Sequence, residues 1–217
     1  MAATKPLKQR TIIYIDGFNL YYGALKGTSC KWLNLERYFQ LLRPNDDVRA
    51  IRYFTAMVNG PTRANQEAYL KPLATLPLVR VVLGKFKQKR VKCNEPTCLH
   101  SGNRLFDTTE EKRTDVNIAV SMLDDVYQNL CDQLILVSGD SDLVPALATI
   151  RLRFSTKRLF VYVPHIPSPT STRGYAVELR SAAHTNRDLP NNLLKLAQFP
   201  SNVPDGLGGS IVKPTTW

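Results

Sequence analysis

The sequence predicts an α/β fold in which a mostly parallel sheet carries helices on both faces. The first observation is a set of short apolar runs, such as Thr11–Ile15 and Leu134–Ser138, which are too short for buried helices and are typical of buried strands. The second is that segments of helical periodicity, such as Asn34–Leu42 and Asp107–Asn129, separate these runs. Strands that alternate with helices are joined by right-handed crossovers, so a parallel sheet is expected.

The remaining elements follow the same patterns along the chain. Further strands are predicted at Val48–Val58, Leu78–Gly84, Arg158–Val163 and, as a short strand, Tyr175–Arg180. Further helices are predicted at Thr62–Ala74, from about Leu143 to Arg153, and at Asn191–Gln198. Pro164–Thr172 is rich in proline and serine and is predicted to be a loop that could border a site at the strand ends.

The size of the chain favours one domain with an appendage, because 217 residues with 43% hydrophobic content can bury a sizeable core. The predicted parts are a basic N-terminal arm at 1–10, a domain at 11–165 with a Cys/His-containing insert at 85–106, a C-terminal extension at 166–199 and a tail at 200–217. The tail could fold back onto the domain through Trp217.

The chain is strongly basic. Its 29 Lys and Arg residues against 18 Asp and Glu residues give a formal net charge of +11, which favours a polyanionic partner such as nucleic acid. Charge that only keeps the protein soluble is the alternative. Four irregularly spaced cysteines, without a leader or an apolar run near ~18 residues, predict a cytoplasmic protein outside the membrane. A homo-oligomer is left open.

Aspartates follow two of the predicted strands. Asp16 ends the first strand, and Asp140 and Asp142 come just past Leu134–Ser138. Ligands bind at this edge of open α/β sheets, and clustered carboxylates cannot all ionise without a cation, which favours Mg²⁺ or Mn²⁺. The local alternatives are that Asp16 is a turn residue and that Asp140 or Asp142 caps a helix.

Asp115 is predicted to join the same edge. It lies in the first turn of a helix whose apolar stripe includes Ile118 and Met122, and it is aimed along that stripe toward the sheet. A favourable interaction with the helix dipole is the alternative. Asp124 and Asp125 fall off the stripe and are predicted to be solvated.

The densest basic run is Lys85–Lys92, which has five Lys or Arg residues, no acid and an aromatic at Phe86. Cations neutralise phosphates and an aromatic ring can stack on an unpaired base, so the run is a candidate contact for single-stranded nucleic acid. A solvated strand edge guarded by lysines is the alternative.

A Cys/His group follows the basic run. Cys93, Cys98 and His100 could supply three ligands to a structural zinc ion, which needs a fourth. The spacing is looser than C-x-x-C and no fourth ligand is evident nearby, so unpaired reduced cysteines are favoured over zinc.

Three motifs stand in chain order: Tyr14-Ile15-Asp16-Gly17-Phe18-Asn19-Leu20, Glu111-Lys112-Arg113-Thr114-Asp115-Val116 and Ser138-Gly139-Asp140-Ser141-Asp142-Leu143. Together they resemble the signatures of NYN-domain proteins, which belong to the PIN-like nuclease superfamily, and the match covers about residues 11–165. The resemblance implies a three-layer PIN-like fold and metal-dependent cleavage of RNA. It also implies four metal-holding acids, Asp16, Asp115, Asp140 and Asp142, with Asn19 as the polar residue beside them.

These observations predict a Mg²⁺- or Mn²⁺-dependent endoribonuclease that acts on single-stranded RNA. Asp16 and Asp140 are expected to hold the metal, and Asp115 and Asp142 to complete its shell or to orient water. Contacts to the RNA backbone are expected from Lys85, Lys87, Lys89, Arg90 and Lys112. The alternatives are a catalytically weak RNA-binding regulatory module of the same fold and a phosphatase for small phosphoesters.

Overall fold

The structure is a computed structural model that describes residues 8–100, 102–165, 176–215 and 217. The strands are β1 (Arg10–Asp16), β2 (Asp47–Thr55), β3 (Val79–Leu83), β4 (Lys85–Lys92), β5 (Leu105–Lys112), β6 (Gln133–Val137), β7 (Arg158–Val163), β8 (Thr185–Asp188), β9 (Asn202–Pro204) and β10 (Ser210–Val212). The helices are α1 (Gly17–Leu20), α2 (Leu35–Leu42), α3 (Arg63–Leu73), α4 (Thr114–Tyr127), α5 (Val144–Arg153), α6 (Val177–Ala182) and α7 (Asn191–Leu196). A π-helical turn at Tyr21–Leu25 follows α1, and a 3₁₀ turn at Ser141–Leu143 precedes α5.

The main sheet has six strands in the order β3-β2-β1-β6-β7-β8, and all five neighbouring pairs are parallel. The predicted α/β fold, a mostly parallel sheet between helix layers, is therefore confirmed. β2 and β3 lie on one side of β1, and β6, β7 and β8 lie on the other side. The strand order thus reverses between β1 and β6, which opens a crevice at their carboxyl ends.

Each face of the sheet packs against its own helix layer, because side chains alternate along a strand. On β1, Ile13 and Ile15 lie in one buried cluster, whereas Ile12 and Tyr14 lie in the other. The first cluster includes buried residues of α1, α2, α3 and α7, namely Leu20, Leu35, Tyr38, Phe39, Tyr69, Leu73 and Leu194. The second includes buried residues of α4, α5 and α6, namely Ile118, Met122, Leu147, Ile150 and Leu179. The result is three layers, and α4 covers the face that also carries Tyr14.

Two element predictions are wrong. Asp107–Lys112 is strand and not helix, because β5 pairs antiparallel with β4 over its whole length and α4 begins only at Thr114. The described part of the predicted short strand Tyr175–Arg180 belongs instead largely to α6, whose Leu179 is fully buried against the second cluster. In both places the short sequence pattern is compatible with either a helix or a strand, and a contact with a distant part of the chain determines which one forms.

The prediction that Asp125 is solvated is also wrong. Its side chain is 1% exposed and lies between the sheet and α4, where Tyr14 Oη donates to Asp125 Oδ2 at 2.6 Å. Arg52 Nη2 of β2 donates to the other carboxylate oxygen. Asp124 is exposed, as predicted. A buried carboxylate needs such partners, and here two neighbouring strands supply them.

Residues beyond α7 lie against the domain. β9 and β10 form an antiparallel hairpin, and the ring of Trp217 lies 6.0 Å from the rings of both Trp32 and Tyr69. The predicted return of Trp217 to the domain is therefore observed. Two predictions concern segments outside the described residues. These segments are residues 1–7 of the N-terminal arm and the part of the Pro164–Thr172 loop from 166 onward.

No helix in the described part of the chain is both long and apolar enough to cross a membrane.

Candidate active site

The predicted acids meet at the crevice between β1 and β6. Asp16 is the last residue of β1, and Asp140 comes three residues after the end of β6. The register aligns Ile15 with Val137, so the two strands end at the same level. Asp16 thus lies at the topological switch point where ligands bind in open α/β sheets.

Asp16 is a buried carboxylate held by three donors. Its side chain is 3% exposed, and its Oδ1 accepts the backbone N–H of Asn19 at 3.0 Å, which caps α1. Its Oδ2 accepts from Asn19 Nδ2 at 2.6 Å and from Ser138 Oγ at 3.1 Å. Burial raises the pKa of Asp16 above its ordinary value, and the three donors only partly offset this effect. The geometry fixes the position of this carboxylate, and the local capping role coexists with a place in the site.

Asn19 joins the two strand ends. Its Nδ2 donates to Asp16, and its Oδ1 accepts the backbone N–H of Gly139 at 3.0 Å. The Asn19 amide therefore holds the Asp16 carboxylate in place and ties it to the segment after β6. Ser138 adds a second link, because its hydroxyl donates to Asp16 and accepts the N–H of Asp140 at 3.1 Å.

Asp140 and Asp142 lie on the segment that leaves β6. Asp140 caps the 3₁₀ turn, since its Oδ1 accepts the backbone N–H of Asp142 at 2.9 Å. The predicted capping role therefore holds for Asp140, which is part-buried, whereas Asp142 is exposed. Among the described residues, no side chain pairs with the Asp142 carboxylate or with Asp140 Oδ2.

Asp115 reaches the site from α4. It is the second residue of that helix and is half-buried. The negative charges of four other acids, Asp16, Asp140, Asp142 and Glu111, repel its ionised carboxylate. Burial, and after it these neighbouring carboxylates, raise the pKa of Asp115 to about 6 from an ordinary 3.8. The four predicted aspartates therefore lie close enough for their charges to interact, with Glu111 as a fifth acid.

Glu111 belongs to the turn that positions α4. One of its oxygens accepts the backbone N–H of Thr114 at 3.2 Å and the Thr114 hydroxyl. Gly84 packs tightly here, because a Cβ at this position would lie 2.7 Å from Glu111 Oε1 and 2.8 Å from the backbone oxygen of Lys112. The end of β5 and the start of α4 are thereby held against the edge of the main sheet.

The acid cluster suits a hard divalent cation by its chemistry. In the described part of the chain, no Lys or Arg forms an ion pair with any of the five acids. Carboxylate oxygens are the ligands that Mg²⁺ and Mn²⁺ prefer, and a cation would relieve the mutual repulsion. As they stand, however, no three His, Cys, Asp or Glu side chains among the described residues are grouped so that they could hold a metal ion.

Replacing Asp115 by asparagine is expected to stabilise the protein in EDTA at pH 7. The folded-state pKa of about 6 exceeds the ordinary 3.8, so the native state binds this proton more tightly and stability falls as pH rises between the two values. The full shift corresponds to about 3 kcal/mol, and solvent screening of a half-buried group reduces the expected gain to roughly 1–2 kcal/mol. Urea unfolding of wild type and the Asp115→Asn variant at pH 7 and pH 4 measures the gain in the free energy of unfolding. An equal gain at both pH values would contradict its origin in the raised pKa of Asp115.

The basic run lies on a separate two-stranded sheet next to the acids. β4 and β5 pair from Lys85 with Lys112 to Lys92 with Leu105, and the Phe86 ring lies 5.8 Å from the ring of Phe18. Alternation along the strands puts Lys85, Lys87, Lys89 and Lys112 on one face and Arg90 on the other. The five predicted RNA contacts are therefore not one surface.

The Cys/His group lies in the segment between β4 and β5. Cys93, Cys98 and His100 are all within the described residues, where they form no metal-holding group, and both cysteines are unpaired. The His100 ring contacts Phe106 of β5 at 5.2 Å. The zinc site that the sequence offered as the less favoured alternative is thus not assembled in this arrangement.

Sequence reasoning missed two residues of the site. Ser138 was predicted only as a strand end, yet its hydroxyl binds Asp16. Phe18 was assigned only to the element after β1, yet it packs on Phe86. Phe18 comes two residues after Asp16, and Ser138 comes two residues before Asp140. This closeness to the acids in sequence is the signal that could have identified Phe18 and Ser138.

The fold and the acidic edge define a nuclease-like α/β domain of the PIN-like class. The NYN-domain family model matches residues 10–190, and the chain therefore belongs to the NYN-domain family, whose members are generally ribonuclease-like hydrolases.

Two further proteins resemble this chain. The chain is 30% identical to 6-hydroxy-3-succinoylpyridine 3-monooxygenase HspA of Pseudomonas putida, over 96% of this chain and 75% of that protein. A crystal structure of a protein of unknown function from Vibrio parahaemolyticus matches with a TM-score of 0.52 and 18% identity, over 87% of this chain and 98% of that chain. The second likeness supports the fold alone.

Proposed function

We propose that this protein is an endoribonuclease that hydrolyses phosphodiester bonds of single-stranded RNA with Mg²⁺ or Mn²⁺. The observation that carries the proposal is the acid cluster at the switch point, where Asp16, Asp115, Asp140, Asp142 and Glu111 have no cationic partner among the described residues. A net charge of +11 on the whole chain supports a polyanionic substrate despite this local negative charge.

The cation would be held by Asp16 and Asp140, and Asp142 would have to move closer to complete its surroundings, because these three side chains do not form a metal-holding group as they stand. Asp16 is suited to this role because Asn19 and Ser138 hold it in place, and Asp140 has one oxygen outside the cap. When bound, such a cation lowers the pKa of water, neutralises the carboxylates and polarises a phosphoryl oxygen.

Asp115 is our candidate for the group that takes a proton from the attacking water. Its pKa of about 6 lies near neutral pH, and no described side chain occupies its oxygens. The water oxygen forms a bond to phosphorus as the ester P–O bond breaks. The leaving oxygen gains a proton, and the products are a phosphomonoester end and a hydroxyl end.

The protein is further proposed to act in the cytoplasm. All four of its cysteines are unpaired, including the part-buried Cys93 and Cys98. Free thiols persist in a reducing compartment, which supports this location.

Removal of divalent metal tests the proposed function. Labelled single-stranded and duplex RNA are incubated with the purified protein in Mg²⁺, in Mn²⁺ or in EDTA. Internal cleavage of the single strand is expected with either cation and none in EDTA, because unneutralised carboxylates would repel the phosphate. Equal cleavage in EDTA would overturn the metal requirement. Tight RNA binding without cleavage under any condition would instead favour the RNA-binding module.

A second candidate is a monooxygenase activity on a hydroxylated pyridine, favoured by the 30% identity to the Pseudomonas putida enzyme over 96% of this chain. Transfer of one oxygen atom of O₂ to the substrate consumes two electrons from a reductant and two protons, and releases the other oxygen atom as water. Oxygen uptake with 6-hydroxy-3-succinoylpyridine and a reduced nicotinamide or flavin cofactor tests it directly. Substrate-dependent uptake together with no RNA cleavage would replace the ribonuclease proposal.

A further inference from the structure

The β4–β5 hairpin, residues Lys85–Lys112, extends the surface beside the acid cluster. Each strand has eight residues, so the paired part is about 27 Å long at ~3.4 Å per residue. It begins directly after Gly84 and ends one residue before α4, so its base adjoins Asp115. Most side chains of its two strands are exposed on both faces, and within β4 and β5 only Phe86, Val91, Glu110 and Glu111 are partly buried.

The strand register sorts the charges of this hairpin by face. One face, which we call the lysine face, carries Lys85, Lys87, Lys89 and Lys112 with a single acid, Glu110. The opposite face has two cations, Arg90 and Lys92, and two acids, Asp107 and Glu111. The basic run in the sequence therefore becomes one cationic face and one balanced face.

Ion pairs increase the difference in unpaired positive charge between the two faces. Glu110 lies 3.3 Å from Lys89 and 2.8 Å from Lys112, whereas within the described residues Lys85 and Lys87 have no acid in ion-pair range. On the balanced face, Arg90 is paired with Asp107 at 2.8 Å. Lys85 and Lys112 also stand directly opposite each other, which is an unfavourable pairing of like charges. A chain of phosphates would neutralise the unpaired charge.

The base of the hairpin fixes how its faces are turned. Phe86 packs on Phe18, and Glu111 binds Thr114, so the balanced face contacts the domain beside the acids. The lysine face is turned away from that contact. RNA on the lysine face would reach the acids past Lys85 and Lys112 at the base.

We propose that the lysine face binds the part of an RNA substrate that extends beyond the scissile bond. This inference rests on the proposed ribonuclease function and adds a substrate class: RNA several nucleotides long, whose affinity grows with length until the hairpin is covered. Single-stranded sites of about 4–16 nucleotides are typical of such cationic surfaces. The free energy of binding comes from counterion release and therefore weakens with salt.

The test compares two double variants that remove the same charge from different surfaces. Lys85→Ala with Lys87→Ala changes the lysine face, and Lys71→Ala with Lys195→Ala is the matched control at exposed positions of α3 and α7. Full-length wild type and both variants are assayed for cleavage of RNAs of about 4 and about 16 nucleotides, a span chosen from typical site sizes. RNA binding is measured separately in EDTA at several salt concentrations.

The lysine-face variant is expected to raise KM for the longer RNA about tenfold with kcat and the short substrate little changed. Its plot of log affinity against log salt should be shallower by roughly 0.7 for each phosphate that the variant no longer neutralises. The control variant with Lys71→Ala and Lys195→Ala should behave as wild type. Equal losses in both variants, or none in the lysine-face variant, would overturn the proposal. Wild type that binds but does not cleave would overturn the ribonuclease function alone, because the binding comparison still tests the face.

Discussion

Replacing Asp140 by asparagine is expected to lower RNA cleavage by roughly 10²–10³-fold with the fold intact. The magnitude is that of removing one preorganised electrostatic interaction with the reacting groups. Asparagine keeps an oxygen for the backbone N–H of Asp142, which Asp140 Oδ1 accepts at 2.9 Å, so the cap survives. Single-turnover cleavage of labelled RNA in Mg²⁺ measures the rate, and circular dichroism checks the fold.

The matched control is Asp124→Asn, which makes the same chemical change at an exposed position of α4. Asp124 accepts from Gln128 Nε2 at 2.8 Å and lies outside the acid cluster. Its cleavage rate should equal that of wild type. Full activity in the Asp140 variant would remove Asp140 from the site, and an equal loss in the control would point to a general effect of charge.

Replacing Asp125 by alanine is expected to destabilise the fold by about 3 kcal/mol, since removing one partner of a buried ion pair leaves the other uncompensated. Tyr14 Oη and Arg52 would lose their shared acceptor, and Arg52 Nε is already buried without a partner among the described residues. For a domain of this size the melting temperature should fall by roughly 6–12 °C. Urea unfolding monitored by fluorescence gives the free energy directly.

Asp124→Ala tests the neighbouring position, which is exposed and should change stability by no more than about 0.5 kcal/mol. The double variant Arg52→Met with Asp125→Leu should be more stable than Asp125→Ala alone, because it leaves no buried charge unpaired. An Asp125→Ala variant as stable as wild type would show that the buried network of Asp125, Tyr14 and Arg52 contributes nothing to the free energy of unfolding.

The sequence by itself determined the sheet and the place of the acids. Thr11–Ile15 and Leu134–Ser138 are apolar enough to be recognised as buried strands, and each is followed closely by an aspartate. Because parallel strands end at a common edge, Asp16 and Asp140 had to lie near each other whatever the details of packing. Asp115 could be added from the helical period of its own segment.

Only the tertiary structure decided what depends on a distant partner. Asp107–Lys112 becomes a strand because β4 pairs with it, and Asp125 is buried because Tyr14 and Arg52 offer it hydrogen bonds. The register of β4 on β5 likewise separates Arg90 from the lysines that adjoin it in sequence. A local pattern records how a residue relates to its chain neighbours, whereas burial and the face of a hairpin depend on side chains far away in the sequence.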